Sequence, residues 1–84
     1  MGEQGDIPPA ADQTLDCKGM LCPLPIVKVS KAIKEIEVGQ TLLLLATDPG
    51  SRPDMAAWTK RTGNPLLHSD QEGAVFRFWI QRAP

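Results

Sequence analysis

The chain has 84 residues, of which 42% are hydrophobic and 23% charged, and its net charge is −1. This balance is typical of one soluble globular domain and gives no general reason to bind nucleic acid or an anionic membrane surface. No apolar run reaches the roughly 20 residues that a membrane span needs, and residues 1–12 are acidic and polar, unlike a secretory leader. We therefore expect a cytoplasmic protein with neither membrane nor direct nucleic-acid partners.

The chain contains two cysteines, Cys17 and Cys22. Two are too few for the disulfide framework of a small secreted domain, and a reducing cytosol keeps them as thiols. Their spacing, together with the single histidine His68, does not match that of a structural zinc site. The cysteines therefore indicate thiol chemistry, without a metal or a cofactor.

Residues 1–13 contain one sizeable apolar side chain besides Met1, that of Ile7. Such a segment cannot bury enough surface to offset its ordering entropy, so we predict a disordered tail. Residues 14–17 are a plausible first strand, which ends at a turn containing Gly19. We accordingly assign residues 14–82 to a single folded domain.

The sequence Cys22-Pro23-Leu24-Pro25 predicts the start of a helix, because proline is tolerated in a helix's first turn and poorly tolerated deeper inside. Cys22 is then expected at the N-cap, where free N–H groups and the helix dipole favour a thiolate. We predict an exposed cysteine with a lowered pKa. The alternative is a buried thiol that packs as a small hydrophobic residue.

The helix is predicted to continue to Val38-Gly39, since its apolar residues recur at intervals of three and four. These residues are Ile26, Val29, Ala32, Ile33 and Ile36. Another side of the helix carries the three lysines Lys28, Lys31 and Lys34. They could steer an acidic partner towards Cys22 or simply form a solvated face.

Residues 41–46 include four consecutive leucines between turn-forming residues, which predicts a central strand. A second helix is expected to begin at Ser51 or Pro53 and to end at Gly63. Asp54 would lie in its first turn, where a carboxylate suits the helix dipole.

The remaining chain predicts two further strands. Residues 66–69 form a weak strand signal, residues 71–73 read as a hairpin turn, and residues 74–81 alternate between apolar and other side chains. The order strand, helix, strand, helix, strand, strand predicts an α/β two-layer sandwich, with two helices on one face of a four-stranded mixed sheet.

The other face of that sheet would be open. Alternation places Val75 and Trp79 on one side of the last strand, and half of the leucines in residues 42–45 must also point away from the helices. We hypothesise that they form an apolar patch for a partner or for self-association. In the alternative, the N-terminal tail or a neighbouring loop covers them.

Taken together, these motifs resemble the TusA/SirA-like family of small sulfur-carrier proteins, over about residues 14–82. The residues that carry the resemblance are Leu15-Asp16, Gly19, Cys22-Pro23-Leu24-Pro25, Gly39, Leu42 to Leu45, Asp48-Pro49, Asp54 and Gly63. The resemblance implies a sheet of order 1-2-4-3, as in the C-terminal domain of a bacterial translation initiation factor. It also implies that the cysteine at position 22 accepts a sulfane sulfur as a persulfide and passes it on.

Within that interpretation, Pro23 and Pro25 brace the exposed turn, and Gly19 is the hinge that presents the cysteine. Lys18 lies in the same loop, where a cation would favour the thiolate. Cys17 could act as a resolving thiol that discharges a persulfide through a disulfide. In the alternative, Cys17 is a strand-end residue packed inward.

The predicted function is therefore that of a sulfurtransferase acting as a persulfide carrier. The donor would be a cysteine desulfurase or a rhodanese-type protein, the acceptor another protein, and the chain a monomer or weakly self-associating. Leu24 departs from the branch that serves transfer-RNA thiolation, which typically has glutamate there, so sulfur oxidation, cofactor sulfuration, selenium handling and transfer-RNA thiolation all stay open. The alternative is a non-catalytic regulatory or interaction module that uses the basic helix or the open sheet face.

Overall fold

The computed structural model describes residues 8–84, which form two helices packed on one face of a four-stranded sheet. The elements are β1 (Gln13–Cys17), α1 (Leu24–Ala32), β2 (Thr41–Ala46), α2 (Ser51–Thr62), β3 (Leu66–Glu72) and β4 (Val75–Gln81). The strand order is β1-β2-β4-β3, in which β1 and β2 are parallel and the other neighbours antiparallel. This architecture confirms the predicted α/β sandwich. Neither helix in residues 8–84 is long and apolar enough to cross a membrane.

The core lies between the helices and the inner face of the sheet. Alternate residues of β2 pair with alternate residues of β4, as in Leu42 with Ile80 and Leu44 with Phe78, and all four are buried. From the helices, Val29, Met55 and Trp58 fill the space above them. Burial of large apolar side chains is the main favourable contribution to folding here.

Helix α1 ends at Ala32, so the predicted continuation to Val38-Gly39 is wrong. The next turn tightens, because the amide of Lys34 donates to Lys31 O (3.2 Å), as helices commonly do at their ends. The guanidinium of Arg82 donates to the carbonyl of Lys34, 48 positions away in the chain. Ile33 and Ile36 remain buried in this turn, which explains why their spacing suggested a longer helix.

The predicted disordered tail, residues 1–13, falls partly on residues 1–7, outside the described residues. Its last two residues are held at the edge of the sheet. Gln13 is in β1, and Asp12 both donates its amide to Thr41 O (2.8 Å) and accepts the Thr41 amide on its carboxylate (2.8 Å). The edge strand therefore begins earlier than the apolar pattern predicted.

The hairpin turn is displaced from the predicted residues 71–73. Strand β3 continues to Glu72, which pairs with Val75, so the turn consists of Gly73 and Ala74. Gly73 has a φ of +60°, a conformation that glycine adopts without steric cost. The polar second half of β3 is a strand because β4 supplies its hydrogen-bond partners.

The outer face of the sheet is not an open apolar patch. Trp79 lies on it opposite Leu43, yet only 4% of its surface is exposed. The His68 ring packs against it edge-on (5.1 Å between centroids), and the Arg77 guanidinium lies 5.2 Å from its ring centroid. Asp70 holds Arg77 through two hydrogen bonds of 2.6 and 2.8 Å. Side chains of β3 and β4 cover the tryptophan, so the predicted docking patch at this residue is wrong.

Candidate functional site

The loop that carries Cys22 lies at the carboxyl ends of the parallel strands β1 and β2. This loop follows β1, and the segment after β2 reaches across to hold it. The amide of Gly19 donates to Thr47 Oγ1 (2.8 Å), and the amide of Cys22 donates to Asp48 Oδ2 (3.2 Å). Because both strands end at the same edge of the sheet, two segments distant in the sequence build one site.

The Cys22 thiol is exposed and donates a hydrogen bond to Asp54 Oδ2 in the first turn of α2. Gly50, the residue that precedes α2, lies beside it. A Cβ atom at Gly50 would lie 3.8 Å from Cys22 Sγ and only 2.9 Å from Asp48 Oδ2. The absence of a side chain at Gly50 therefore leaves space for the Asp48 carboxylate, which accepts the Cys22 amide.

The environment of Cys22 is opposite to the predicted one. Its hydrogen bond to Asp54, followed by partial desolvation and by the charges of Asp54 and Asp48, raises the pKa of the thiol. A nearby negative charge disfavours the thiolate, and a carboxylate that accepts the S–H proton favours the thiol. The predicted lowered pKa is therefore wrong, and the resting residue is a protonated thiol.

The start of α1 also differs in detail. The N-cap is Pro23 and not Cys22, the Cys22-Pro23 peptide bond is cis, and no side chain caps the helix. Pro25 lies within the first turn and is buried, as a brace of this turn would be. Cys22 thus precedes the helix by one residue more than predicted.

The other predicted site residues separate into two groups. Gly19 adopts a φ of +83°, which suits a turn that presents the cysteine. Lys18 is directed to Asp16, with its ammonium 3.9 Å from the carboxylate. Cys17 is fully buried in the core at the end of β1, and burial raises the pKa of its thiol. Gly19 therefore belongs to the site, whereas Lys18 and Cys17 face other groups.

Three residues of this site had not been predicted as site residues from the sequence. They are Asp48, Gly50 and Asp54. Asp54 was noted only as a favourable charge in the first turn of α2. The signal that points to them is topological, because Asp48-Pro49-Gly50 directly follows β2, the predicted parallel neighbour of the strand that leads to Cys22. Loops at the carboxyl ends of adjacent parallel strands meet, and such places commonly form sites.

A group of exposed apolar side chains, the apolar rim, lies on the Cys22 loop and at the start of α1. It consists of Leu21, Leu24 and Val27, which are 71%, 49% and 56% exposed. They share the Cys22 loop and the outer side of the first turns of α1. Large apolar side chains grouped on a surface mark places where another protein can bind. The rim therefore provides, next to Cys22 in the chain, a surface suited to protein contact.

Comparison with known proteins places this chain in a family. The family model described as Sulfurtransferase TusA matches residues 13–82. The protein YrkI of Bacillus subtilis is 47% identical over 72 residues, covering 86% of this chain and 96% of that protein. The sulfur carrier protein TusA of Allochromatium vinosum is 46% identical over 72 residues, with coverage of 86% and 95%.

A solved structure shares the fold. The SirA-like protein from Desulfitobacterium hafniense superposes with a TM-score of 0.74 at 23% identity, and the match covers 86% of this chain and 99% of that chain. The strand order of this chain is the predicted order 1-2-4-3, with β1 and β2 parallel. By the family match and the two sequence relatives, the chain belongs to the TusA sulfurtransferase family.

Proposed function

We propose that the chain is a sulfur carrier, which accepts a sulfane sulfur as a persulfide on Cys22 and passes it to another protein. The observation that carries this proposal is the exposed Cys22 thiol, on a loop that ends at Pro23, in a chain of the TusA sulfurtransferase family. A carrier needs a sulfur atom that two different proteins can reach, and this thiol is exposed at the edge of the domain.

The chemistry is an exchange at sulfur that needs no external oxidant. The Cys22 sulfur attacks the terminal sulfur of a persulfide on the donor, and its electron pair forms the new S–S bond. The donor's S–S bond breaks, and its electron pair leaves on the donor sulfur, which ends as a thiol. One proton leaves Cys22 and one is taken up by the donor sulfur. Delivery to the acceptor is the same exchange in the other direction.

Intact-mass measurement tests the proposal. After incubation with glutathione persulfide, the wild type should gain one sulfur atom, and a thiol reductant should remove it. Cys22→Ala should gain none, whereas Cys17→Ala, which removes the buried thiol, should gain one like the wild type. The second variant is the matched control for the loss of a cysteine.

A contrary result would favour the non-catalytic module. If neither glutathione persulfide nor a loaded cysteine desulfurase or rhodanese transfers sulfur to the wild type, the carrier role is refuted. Equal loading of the wild type and Cys22→Ala would place the reactive sulfur elsewhere. The buried position of Trp79 removes one of the surfaces on which the module alternative depended.

The apolar rim supports a protein as the transfer partner. We expect Val27→Glu, which places a charge at an exposed apolar position of the rim, to leave loading by glutathione persulfide unchanged. Transfer between the variant and a protein partner should slow by about tenfold, since the desolvated centre of an interface contributes most of its affinity. Loss of transfer with both donors would instead indicate damage to the Cys22 loop. Leu67→Glu, on the opposite edge strand β3 and 43% exposed before substitution, is the matched charge control.

A further inference from the structure

The carboxylate of Asp54 touches the sulfur atom that would react. Its Oδ2 accepts the hydrogen bond of the Cys22 thiol. Asp54 lies in the first turn of α2, where its amide donates to Gly50 O (3.2 Å). Asp48 is the other carboxylate at the site, but its Oδ2 accepts the Cys22 amide at 3.2 Å. Two acidic residues therefore contact one cysteine, and only Asp54 contacts its sulfur.

We propose that Asp54 is the proton acceptor of Cys22 during sulfur loading, and so a catalytic residue of the site. Asp54 Oδ2 takes the S–H proton as the Cys22 sulfur forms its bond to the sulfane sulfur of the donor. The departing donor sulfur takes a proton from water, and Asp54 releases its own to water afterwards. Protons, atoms and electrons balance, and nothing is oxidised overall. This inference rests on the proposed carrier function.

The carboxylates beside Cys22 favour its thiol form, so a proton acceptor at the sulfur assists loading. The charged groups that act on the thiol are Asp54 from α2 and Asp48 from the loop after β2, and both raise its pKa. On its own loop, Lys18 is turned to Asp16. The nucleophile in sulfur exchange is the thiolate, so a protonated Cys22 must lose its proton during or before the attack. A base in hydrogen-bond contact with the sulfur meets the geometric requirement for general base catalysis.

Two pH profiles test the assignment. The ultraviolet absorbance of the thiolate, corrected with Cys22→Ala, measures ionisation of Cys22 alone. The rate of sulfur uptake from glutathione persulfide, followed by intact mass, measures loading. In the wild type, loading should persist at pH values below the ionisation midpoint, because Asp54 removes the proton within the step. At pH 7 its rate per unit of thiolate should exceed that of Asp54→Asn by about tenfold or more.

Asp54→Asn should shift the ionisation midpoint to lower pH, and its loading profile should then coincide with its ionisation profile. Asp48→Asn is the matched control, since it removes an equal charge without touching the sulfur. Its loading should still persist at pH values below its own ionisation midpoint, as in the wild type. Circular dichroism checks that α2 is intact in both variants. The donor is the same throughout, so its own ionisation cancels between variants.

The proposal is overturned if the wild-type loading profile, divided by that of Asp54→Asn with the same donor, follows the ratio of their thiolate fractions. It is also overturned if Asp54→Asn leaves the ionisation midpoint in place, or if Asp48→Asn behaves as Asp54→Asn does. A wild type that takes up no sulfur at all refutes the carrier function itself, whereas the ionisation profile still reports whether Asp54 holds the Cys22 proton.

Discussion

Cys17 and Cys22 are five positions apart, but their surroundings are opposite. Cys17 is the last residue of β1, and its side chain is fully buried in the core. Cys22 is exposed on the loop that follows. Burial, and to a lesser degree the charge of Asp16, raises the pKa of Cys17, while hydrogen bonding to Asp54 is the main cause at Cys22. A raised pKa therefore has a different physical cause at each cysteine.

Burial of Cys17 opposes the resolving role. We expect Cys17→Ser to leave sulfur loading, sulfur discharge and the mass of the oxidised protein unchanged. Its free energy of unfolding should fall by about 1–3 kcal/mol, because a hydroxyl replaces a thiol in an apolar site. Denaturant unfolding and intact mass measure the two effects. A disulfide between the two cysteines in the oxidised wild type, absent in the variant, would support the resolving role instead.

At the scale of the elements, the two helices are joined by a hydrogen bond as well as by apolar packing. Trp58 Nε1 of α2 donates to Ser30 Oγ of α1 at 2.9 Å, and Trp58 is only 2% exposed. Sequence periodicity predicts that Trp58 faces inward but not that its indole N–H has a partner on the other helix. Buried tryptophan N–H groups usually require such a partner.

A double-mutant cycle measures this link between the helices. Ser30→Ala should lower the free energy of unfolding by about 1 kcal/mol, since it leaves the indole N–H without its partner. Trp58→Phe removes the donor and part of the packing. In the double variant the loss should be smaller than the sum of the single losses, by roughly 0.5 kcal/mol or more, because the two residues contact each other. Additive losses would show that the hydrogen bond contributes nothing.

At the scale of the whole molecule, the two faces of the sheet are buried in different ways. The inner face is covered by helices, whereas on the outer face long side chains of β3 and β4 cover Trp79. Arg77 and His68 cover Trp79, which is only 4% exposed. Asp70 links the two, because it is hydrogen-bonded to Arg77 and its Oδ2 lies 3.3 Å from His68 Nε2. Aromatic and cationic side chains pack well in this way, since the guanidinium lies near the ring and keeps its hydrogen bonds.

Trp79 is accordingly expected to act as a core residue. Trp79→Ala should lower the free energy of unfolding by about 3–5 kcal/mol, the usual cost of deleting a buried aromatic side chain. Light scattering should give the same mass for variant and wild type under conditions where both are folded. A stable variant with altered self-association would instead restore the interpretation of this face as an exposed docking patch.

The cover of the outer face should also be sensitive to acid. The Arg77 guanidinium is the main cause that holds the pKa of Asp70 below its ordinary value. A carboxyl with a lower pKa in the folded state contributes stability above its unfolded pKa, near about 4, and loses it as the pH falls through the folded value. Asp70→Asn should therefore lower Tm at pH 7, and the difference from wild type should shrink below about pH 4.

Glu72→Gln is the control for that experiment. Glu72 Oε1 lies 3.5 Å from Arg77 Nη1, but its side chain is 77% exposed, and an exposed pair contributes little to stability. We expect its Tm to match that of the wild type at each pH. A difference between Asp70→Asn and wild type that is constant with pH would show that ionisation of Asp70 has no part in the stability.

The sequence by itself determined the order and type of the elements, the inward faces of the central strands and the exposed cysteine directly before Pro23. These follow from local causes, namely side-chain periodicity, the backbone limits of proline and glycine, and recognisable spacing. Only the tertiary structure decided the proton state of Cys22, because its carboxylate neighbours Asp48 and Asp54 are 26 and 32 positions away. Likewise, the end of α1 and the cover over Trp79 depend on Arg82, Arg77 and His68. Such contacts depend on how strands and helices meet in space, which no local pattern contains.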